Sequence, residues 1–242
     1  MIVSLVKGGL GNMMFQIAAG ASLANKIGTD FGYSYENWHC CTQYKIDHYP
    51  STIFSKINQI ESLEQINLVG VYQEPSMLYS TLPPIDNLLL DGYFQTEKYF
   101  DTETVKNLFD IPKNEEYKGY TFLHIRRGDY IKYQNIHNLL SEDYYENALD
   151  IIKPKNVVVL TDDVEWAKSH ELFKNFKISN SKTDIEDLSI MVSCESAIIA
   201  NSTFSWWGAW LMDSDKVVCP KKWHVDNREN EIICQNWISI ET

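Results

Sequence analysis

Two arginines, a histidine and an aspartate crowd one short stretch, His124-Ile-Arg126-Arg127-Gly128-Asp129-Tyr130. The stretch continues the apolar run that begins at Tyr120, so it stands at the carboxyl end of a buried strand, where open α/β sheets bind their ligands. A guanidinium presents a rigid fork of donors that matches a diphosphate. Alternation along the strand places His124 and Arg126 on one side and turns Arg127 to the other. The chemistry these residue types suit is capture of a nucleotide diphosphate. The plain structural alternative is an Arg–Asp ion pair at a strand end. Burying two guanidinium charges without an anion is costly, which favours a ligand.

Three further segments carry candidate residues. Lys7-Gly8-Gly9-Leu10-Gly11-Asn12-Met13-Met14-Phe15-Gln16 follows the first strand and opens a helix. Gly9 and Gly11 let the backbone approach a ligand, and the helix start offers free N–H groups. Neither the dinucleotide nor the P-loop glycine pattern is met, and a turn that only packs strand on helix is the alternative. Asn12 and Gln16, one helical turn apart, flank that loop. Asn201-Ser202-Thr203-Phe204-Ser205-Trp206-Trp207 follows the apolar run Ala197–Ala200. Its hydroxyls and helix-end amides suit phosphate oxygens, or simply cap a helix, while Trp206, Trp207 and Trp210 read as core. Thr161-Asp162-Asp163 closes the run Val157–Leu160; its acids suit catalysis, the orientation of an arginine, or the cap of the next helix.

Other patterns point away from their usual chemistry. Asp213-Ser214-Asp215 mimics a metal-binding D-x-D but reads as a helix-to-strand turn. His39-Cys40-Cys41 with His48 has zinc-ligand composition without zinc-ligand spacing. Ser205 lacks the elbow of a serine hydrolase.

The elements that must position these segments are legible from patterning. Apolar β-branched runs at 120–125, 157–160, 197–200 and 216–219 alternate with helical stretches opening at Ser141, spanning Asp163–Phe173, and spanning Asp184–Cys194. This predicts a doubly wound α/β unit over about residues 118–225. In the first half, strands are expected at Ile2–Val6, Phe31–Tyr35, Asn67–Val71 and Leu88–Tyr93. Helices are expected at Met13–Ile27 and Glu97–Phe109, with Gly8–Asn12 as a loop. The polar, proline-bearing stretch Ile111–Glu116 is the expected linker. The expected organisation is therefore two α/β domains, residues 1–116 and 117–242, with a cleft between them.

The chain has 242 residues, 44% hydrophobic and 22% charged, with a net charge of −12. That excludes disorder and coiled coil, and it argues against general nucleic-acid binding. A local basic pocket for a phosphorylated ligand is compatible with an acidic whole. The N-terminus lacks the pattern of a signal peptide, no run is long enough to span a membrane, and the cysteines number five, which together suggest reduced thiols in a cytosol. The expected location is cytoplasmic, with peripheral contact at the inner face of a membrane left open.

Taken in order, Gly8–Gln16, Asp91-Gly-Tyr-Phe-Gln-Thr-Glu-Lys-Tyr-Phe100, His124–Tyr130, Thr161–Asp163 and Asn201–Trp207 resemble the α-1,2-fucosyltransferases of glycosyltransferase family 11. The resemblance departs at Met13, where the family usually has Gln, and in chain length. It implies a GT-B-type α/β fold with two Rossmann-like domains facing a cleft. It also implies GDP-fucose as donor, inversion at the anomeric carbon, and no cofactor or metal. The implied roles are Arg126 on the β-phosphate, assisted by Arg127; His124 near the guanine or ribose; Asp187 reading guanine; and Ser202 and Thr203 accepting phosphate beside Asn201. Asn12 is implied at the reaction centre, with Gly9, Gly11 and Asp162 among the donor-binding residues. Asp129 is the candidate base for the acceptor hydroxyl, or else a brace for Arg126. The expected activity is transfer of fucose to the 2-hydroxyl of a galactose-bearing glycan. A GT-B enzyme using another nucleotide sugar, and a non-catalytic glycan-binding module built on the seven Trp and fourteen Tyr, are the alternatives.

Overall fold

The computed structural model describes residues 1–35, 46–134, 138–226 and 228–242. The chain divides into two compact units. One is Met1–Ile111 with Glu229–Cys234, the other Pro112–Arg228 with Gln235–Thr242. The segment after Arg228 thus packs with the first unit before the chain returns to the second.

The first unit comprises β1 (Ile2–Leu5), α1 (Leu10–Ile27), β2 (Phe31–Ser34), β3 (Asn58–Gln59), β4 (Gly70–Gln73), β5 (Leu88–Asp91) and the short α2 (Thr102–Lys106). Its sheet is parallel, in the order β3-β2-β1-β5-β4. The chain winds outward from β1 through β2 and β3, then returns on the other side of β1. The carboxyl ends of β1 and β5 therefore flank a topological switch point, the crevice where doubly wound sheets take ligands. α1 is buried over almost its whole length because small residues, Ala18 to Ala21, alternate with Met14, Phe15 and Leu23. A helix that is apolar around most of its circumference belongs in a core. The Ser4 hydroxyl donates to the Gln16 carbonyl at 2.7 Å and pins α1 to the central strand.

The second unit comprises β6 (Thr121–Ile125), α3 (Gly128–Lys132), α4 (Glu142–Ile152), β7 (Val157–Thr161), α5 (Val164–Ser169), β8 (Lys177–Ile178), α6 (Asp184–Met191), β9 (Ser196–Ile198), α7 (Thr203–Met212), β10 (Val217–Pro220) and β11 (Ile238–Ile240). The order is β11-β10-β9-β6-β7-β8, again parallel. Its switch point lies between β6 and β9. Leu123, Ile125, Val157, Val159, Ile198 and Val218 form the buried core with Tyr144, Tyr145 and Phe173. Trp206 and Trp207 are fully buried, so the core reading of these rings is right.

Several expected boundaries move, each for a local reason. α1 starts at Leu10, not Met13, which draws Gly11 and Asn12 out of the loop and into its first turn. The expected helix Glu97–Phe109 is a 3-10 turn at Glu97–Tyr99 followed by α2. Phe100 is extended, and Asp101 caps the new helix by accepting from Glu103 and Thr104 amides at 3.3 and 2.9 Å. The strand expected at Asn67–Val71 lies at Gly70–Gln73. The helix from Asp163 ends at Ser169, because His170 is extended. Asp213 is the left-handed end of α7, consistent with a turn at Asp213–Asp215. His39, Cys40 and Cys41 lie outside the described residues. Among the described residues, no group of three or more His, Cys, Asp or Glu is arranged to hold a metal, and no helix is long and apolar enough to cross a membrane.

Candidate active site

In the second unit the loop after β6 and the loop after β9 meet at the switch point. Tyr130 Oη donates to the Asn201 carbonyl at 2.9 Å and joins the two. Arg126 lies between two carboxylates, with Nη2 2.7 Å from Asp129 Oδ1 and Nη1 2.8 Å from Asp162 Oδ2. A guanidinium carries five N–H donors, so two ion pairs leave others for an anion. The side chain keeps 24% of its surface exposed, Asp129 keeps 48%, and Asp162 only 9%. Asp162 is therefore the fixed partner and Asp129 the exchangeable one. Asp162 also accepts from the Arg127 amide at 2.9 Å, which holds the turn after β6. A Cβ at position 128 would stand 2.6 Å from Asp162 Oδ2, so the close approach of this carboxylate requires Gly128.

Arg127 turns away from Arg126, as alternation predicts, and takes partners of its own. Its Nε is 3.1 Å from Asp163 Oδ2, and its guanidinium lies 3.8 Å over the Trp166 ring. Asp163 at the same time accepts from the Trp166 amide at 3.3 Å and caps α5. The two arginines do not form a pair. The acids of Thr161-Asp162-Asp163 divide their work, Asp162 setting Arg126 and Asp163 setting Arg127 and the helix.

His124 is 5% exposed, and its ring meets Phe204 edge-on at 6.0 Å. Burial, assisted by the Arg126 charge, pushes its imidazole down to about 3, so the ring is neutral. Asn201 is also committed: its amide donates to the carbonyls of Asn138 and Trp223 at 3.1 and 3.2 Å and ties three loops together. Ser202 stands at the N-cap of α7 without making a side-chain capping bond. Its hydroxyl is thus not spent on the cap reading, and Thr203 follows in the first turn. Asp187 sits on α6 beside the end of β8, where it accepts from the hydroxyls of Ser181 and, at 3.4 Å, Ser179. Burial pushes its carboxyl up to about 6 against the pull of these two hydroxyls.

At the switch point of the first unit, Gly9 is the N-cap of α1, and space for a Cβ there is open to 4 Å. Gly11 is buried in the first turn. Asn12 Oδ1 accepts from Gln95 Nε2 at 2.8 Å, across from the end of β1 to the loop after β5. Gln16 is fully buried and accepts from the Lys7 amide at 2.9 Å, a structural role. Lys7 Nζ pairs with Asp91 at 2.6 Å and lies 5.4 Å over the Tyr93 ring. Sequence reasoning did not single out Lys7, Gln95, Trp166, Ser179 or Ser181. Lys7 and Gln95 lie in the glycine-loop and Asp91–Phe100 segments and Trp166 follows the acids, but these three act through partners distant in sequence, while Ser179 and Ser181 reach Asp187 on the next helix.

Residues 90–241 match the family model described as Glycosyl transferase family 11, which is more than half of the chain. The chain belongs to glycosyl transferase family 11. The matched span includes the β5 loop, the arginine segment, both acids after β7 and the start of α7. Among relatives of this family member, an Escherichia coli alpha-1,2-colitosyltransferase is 27% identical over 99% of both chains. The Escherichia coli O-antigen biosynthesis glycosyltransferase WbnK is 38% identical over 50% of this chain and 44% of its own length. A Caenorhabditis elegans galactoside 2-alpha-L-fucosyltransferase is 26% identical over 87% of this chain and 69% of its own. The crystal structure of fucosyltransferase NodZ from Bradyrhizobium superposes with a TM-score of 0.54, covering 86% of this chain and 91% of that one at 12% identity. That likeness shows the fold: this glycosyltransferase is an α/β protein of two parallel sheets, in the GT-B-type class expected.

Proposed function

We propose that the chain transfers fucose from GDP-fucose, with inversion, to the 2-hydroxyl of a galactose-containing glycan. One observation carries the reading. The switch point of the second unit brings Arg126, preset by Asp162, to the same crevice as the uncapping Ser202 and the start of α7. The fold relative NodZ, an alpha-1,6-fucosyltransferase, has been co-crystallised with GDP and soaked with GDP-fucose, which supports a GDP-linked donor here.

In the proposed reaction the bond from the fucosyl anomeric carbon to the β-phosphate oxygen breaks, and GDP leaves with the electron pair. Negative charge grows on the β-phosphate, where Arg126 and the α7 amides are strongest. That is transition-state stabilisation by groups already oriented. The guanidinium supplies the charge that a metal supplies in other nucleotide-sugar enzymes, so transfer is expected to persist in EDTA. The acceptor 2-hydroxyl attacks from the opposite face and gives its proton to Asp129. In the first unit, Asn12 is the residue assigned to the acceptor. Asp187 reads guanine, Ser202 and Thr203 take phosphate oxygens, and Arg127 and Asn201 hold the loops that carry them. His124, neutral and buried, forms the wall behind Arg126.

The full-length match to a colitosyltransferase favours a second reading, in which the sugar transferred is colitose, carried on the same nucleotide. Incubation with GDP-fucose and with GDP-colitose, each against a panel of galactosides, followed by NMR of the linkage, decides between them. A new 1,2-linkage from GDP-fucose is the expected result. Turnover of GDP-colitose alone reassigns the donor. Glycan binding with no response to either donor overturns both readings.

A further inference from the structure

Phe94 adopts φ 52 although it is a bulky residue, and its side chain is fully buried. Left-handed backbone at such a residue is strained and persists only where its surroundings enforce it. Here the enforcement comes from Glu74, just beyond β4. Its carboxylate accepts from the Tyr93 amide at 2.7 Å and from the Phe94 amide at 3.0 and 3.1 Å. Its own amide donates to the Asp91 carbonyl at 2.9 Å, and a side chain at Gly92 would overlap it. Burial pushes the Glu74 carboxyl up, and the two amides pull it back. One residue later, Gln95 donates to Asn12.

We infer that Glu74 is a positioning residue for acceptor transfer, its carboxylate holding the turn Gly92–Phe94 so that Gln95 fixes Asn12 at the first unit's switch point. The inference rests on the proposed acceptor role of Asn12. Two contacts and one chain step carry it: carboxylate to the Tyr93 and Phe94 amides, Phe94 to the next residue Gln95, and Gln95 to Asn12. Glu74 touches no reacting group. Oε2 accepts from both amides and Oε1 from Phe94 alone, so the isosteric Glu74→Gln can leave its one oxygen on the amides. It loses the charge, however, and sets an NH2 where Oε1 faced the Phe94 amide, which loosens the turn without a change of volume.

The experiment uses the full chain. Glu74→Gln is expected to lower kcat/KM for the galactoside at least tenfold while the GDP dissociation constant stays within twofold. In an Asn12→Ala background the same substitution is expected to cost less than twofold more, since both act through one chain of contacts. Gln95→Ala, which leaves the carboxylate clamp in place, is expected to reproduce the acceptor-side loss and covers the case in which Glu74→Gln does not fold. Unchanged acceptor kcat/KM in folded Glu74→Gln, or full additivity with Asn12→Ala, overturns the proposal. If the wild-type chain transfers from neither donor, the functional reading fails by itself. Amide hydrogen exchange at Tyr93 and Phe94 then judges the clamp: at least tenfold faster exchange in Glu74→Gln with β1 unchanged supports it, and unchanged exchange overturns it.

Discussion

The Asp129 carboxylate accepts from Nη2 of Arg126 at 2.7 Å, with nearly half of the acid exposed. An ion pair this open contributes about 0–1 kcal/mol, so a diphosphate can take its place on the guanidinium and free the acid for the role of base that the proposed reaction gives it. Arg126→Ala is expected to weaken GDP binding by roughly tenfold or more, from the loss of a charge-assisted contact worth about 1.5–3 kcal/mol. Asp129→Asn is expected to lower kcat by about 10²–10⁴, as for loss of a general base, with GDP affinity altered less than about fivefold. Calorimetry with GDP beside initial rates separates the two. If Asp129→Asn weakens GDP as much as Arg126→Ala and leaves kcat intact, the acid is only a brace.

Arg127 has the opposite balance. Its contacts with Trp166 and Asp163 are internal. A cation–π contact contributes about 0.5–2 kcal/mol, and Arg127→Ala is expected to destabilise the protein by about 1–2 kcal/mol. Urea unfolding measures this. GDP affinity should fall less than in Arg126→Ala; an equal fall would make Arg127 a phosphate ligand in its own right.

Asp187 sits where burial disfavours its charge, with its carboxyl raised from 3.8 to about 6. The folded chain holds this proton more tightly than the unfolded chain does, so this group's contribution to stability falls as pH rises from about 4 to 6 and stays low above 6. Asp187→Asn is therefore expected to be more stable than the wild type at pH 7.5, by up to about 3 kcal/mol at 1.36 kcal/mol per pH unit. At pH 4 the gain should vanish. The same variant is expected to lose GDP affinity about tenfold or more, because guanine's N–H donors face an amide. A variant that is stabilised yet binds GDP normally would remove Asp187 from nucleotide recognition.

His124 has the reverse sign. Unfolded, its imidazole titrates near 6.5; folded, it is held down to about 3. Between those values the unfolded chain takes up a proton that the folded chain refuses, so stability is lost as pH falls below 6.5, by about 1.4 kcal/mol per pH unit. His124→Gln should flatten the slope of unfolding free energy against pH by close to one proton between pH 6 and 4.5. An unchanged slope would mean that the ring is protonated in the fold.

The second unit was the more legible half. Four of its strands, β6, β7, β9 and β10, are buried and read as unbroken apolar runs, and most of its chemistry-bearing residues follow β6, β7 and β9 directly. By contrast, β8 and β11 are short, more exposed and carry no such run. Ser141 and Asp163 announce their helices because capping is a contact between near neighbours. The start of α1 was misplaced because its N-cap, Gly9, makes no side-chain bond. Glu74, Ser179 and Ser181 carry no local pattern: each works through a residue on another element, and β8 is two residues long. The division of labour between Arg126 and Arg127 was half visible. Alternation separates them, but nothing near Arg127 in the chain forecasts Trp166 beneath it.

The stretch Glu229–Cys234 belongs to the first unit, where Glu231 accepts from Lys98 Nζ and the Tyr79 amide at 2.6 and 2.7 Å, yet it comes after β10 in the chain. During synthesis the ribosome therefore delivers the opening Rossmann-like half without this piece and supplies it only after the second unit has emerged as far as β10. The first unit's packing is therefore completed by a segment translated after most of the second unit, so the half that is begun first is not the half that is finished first.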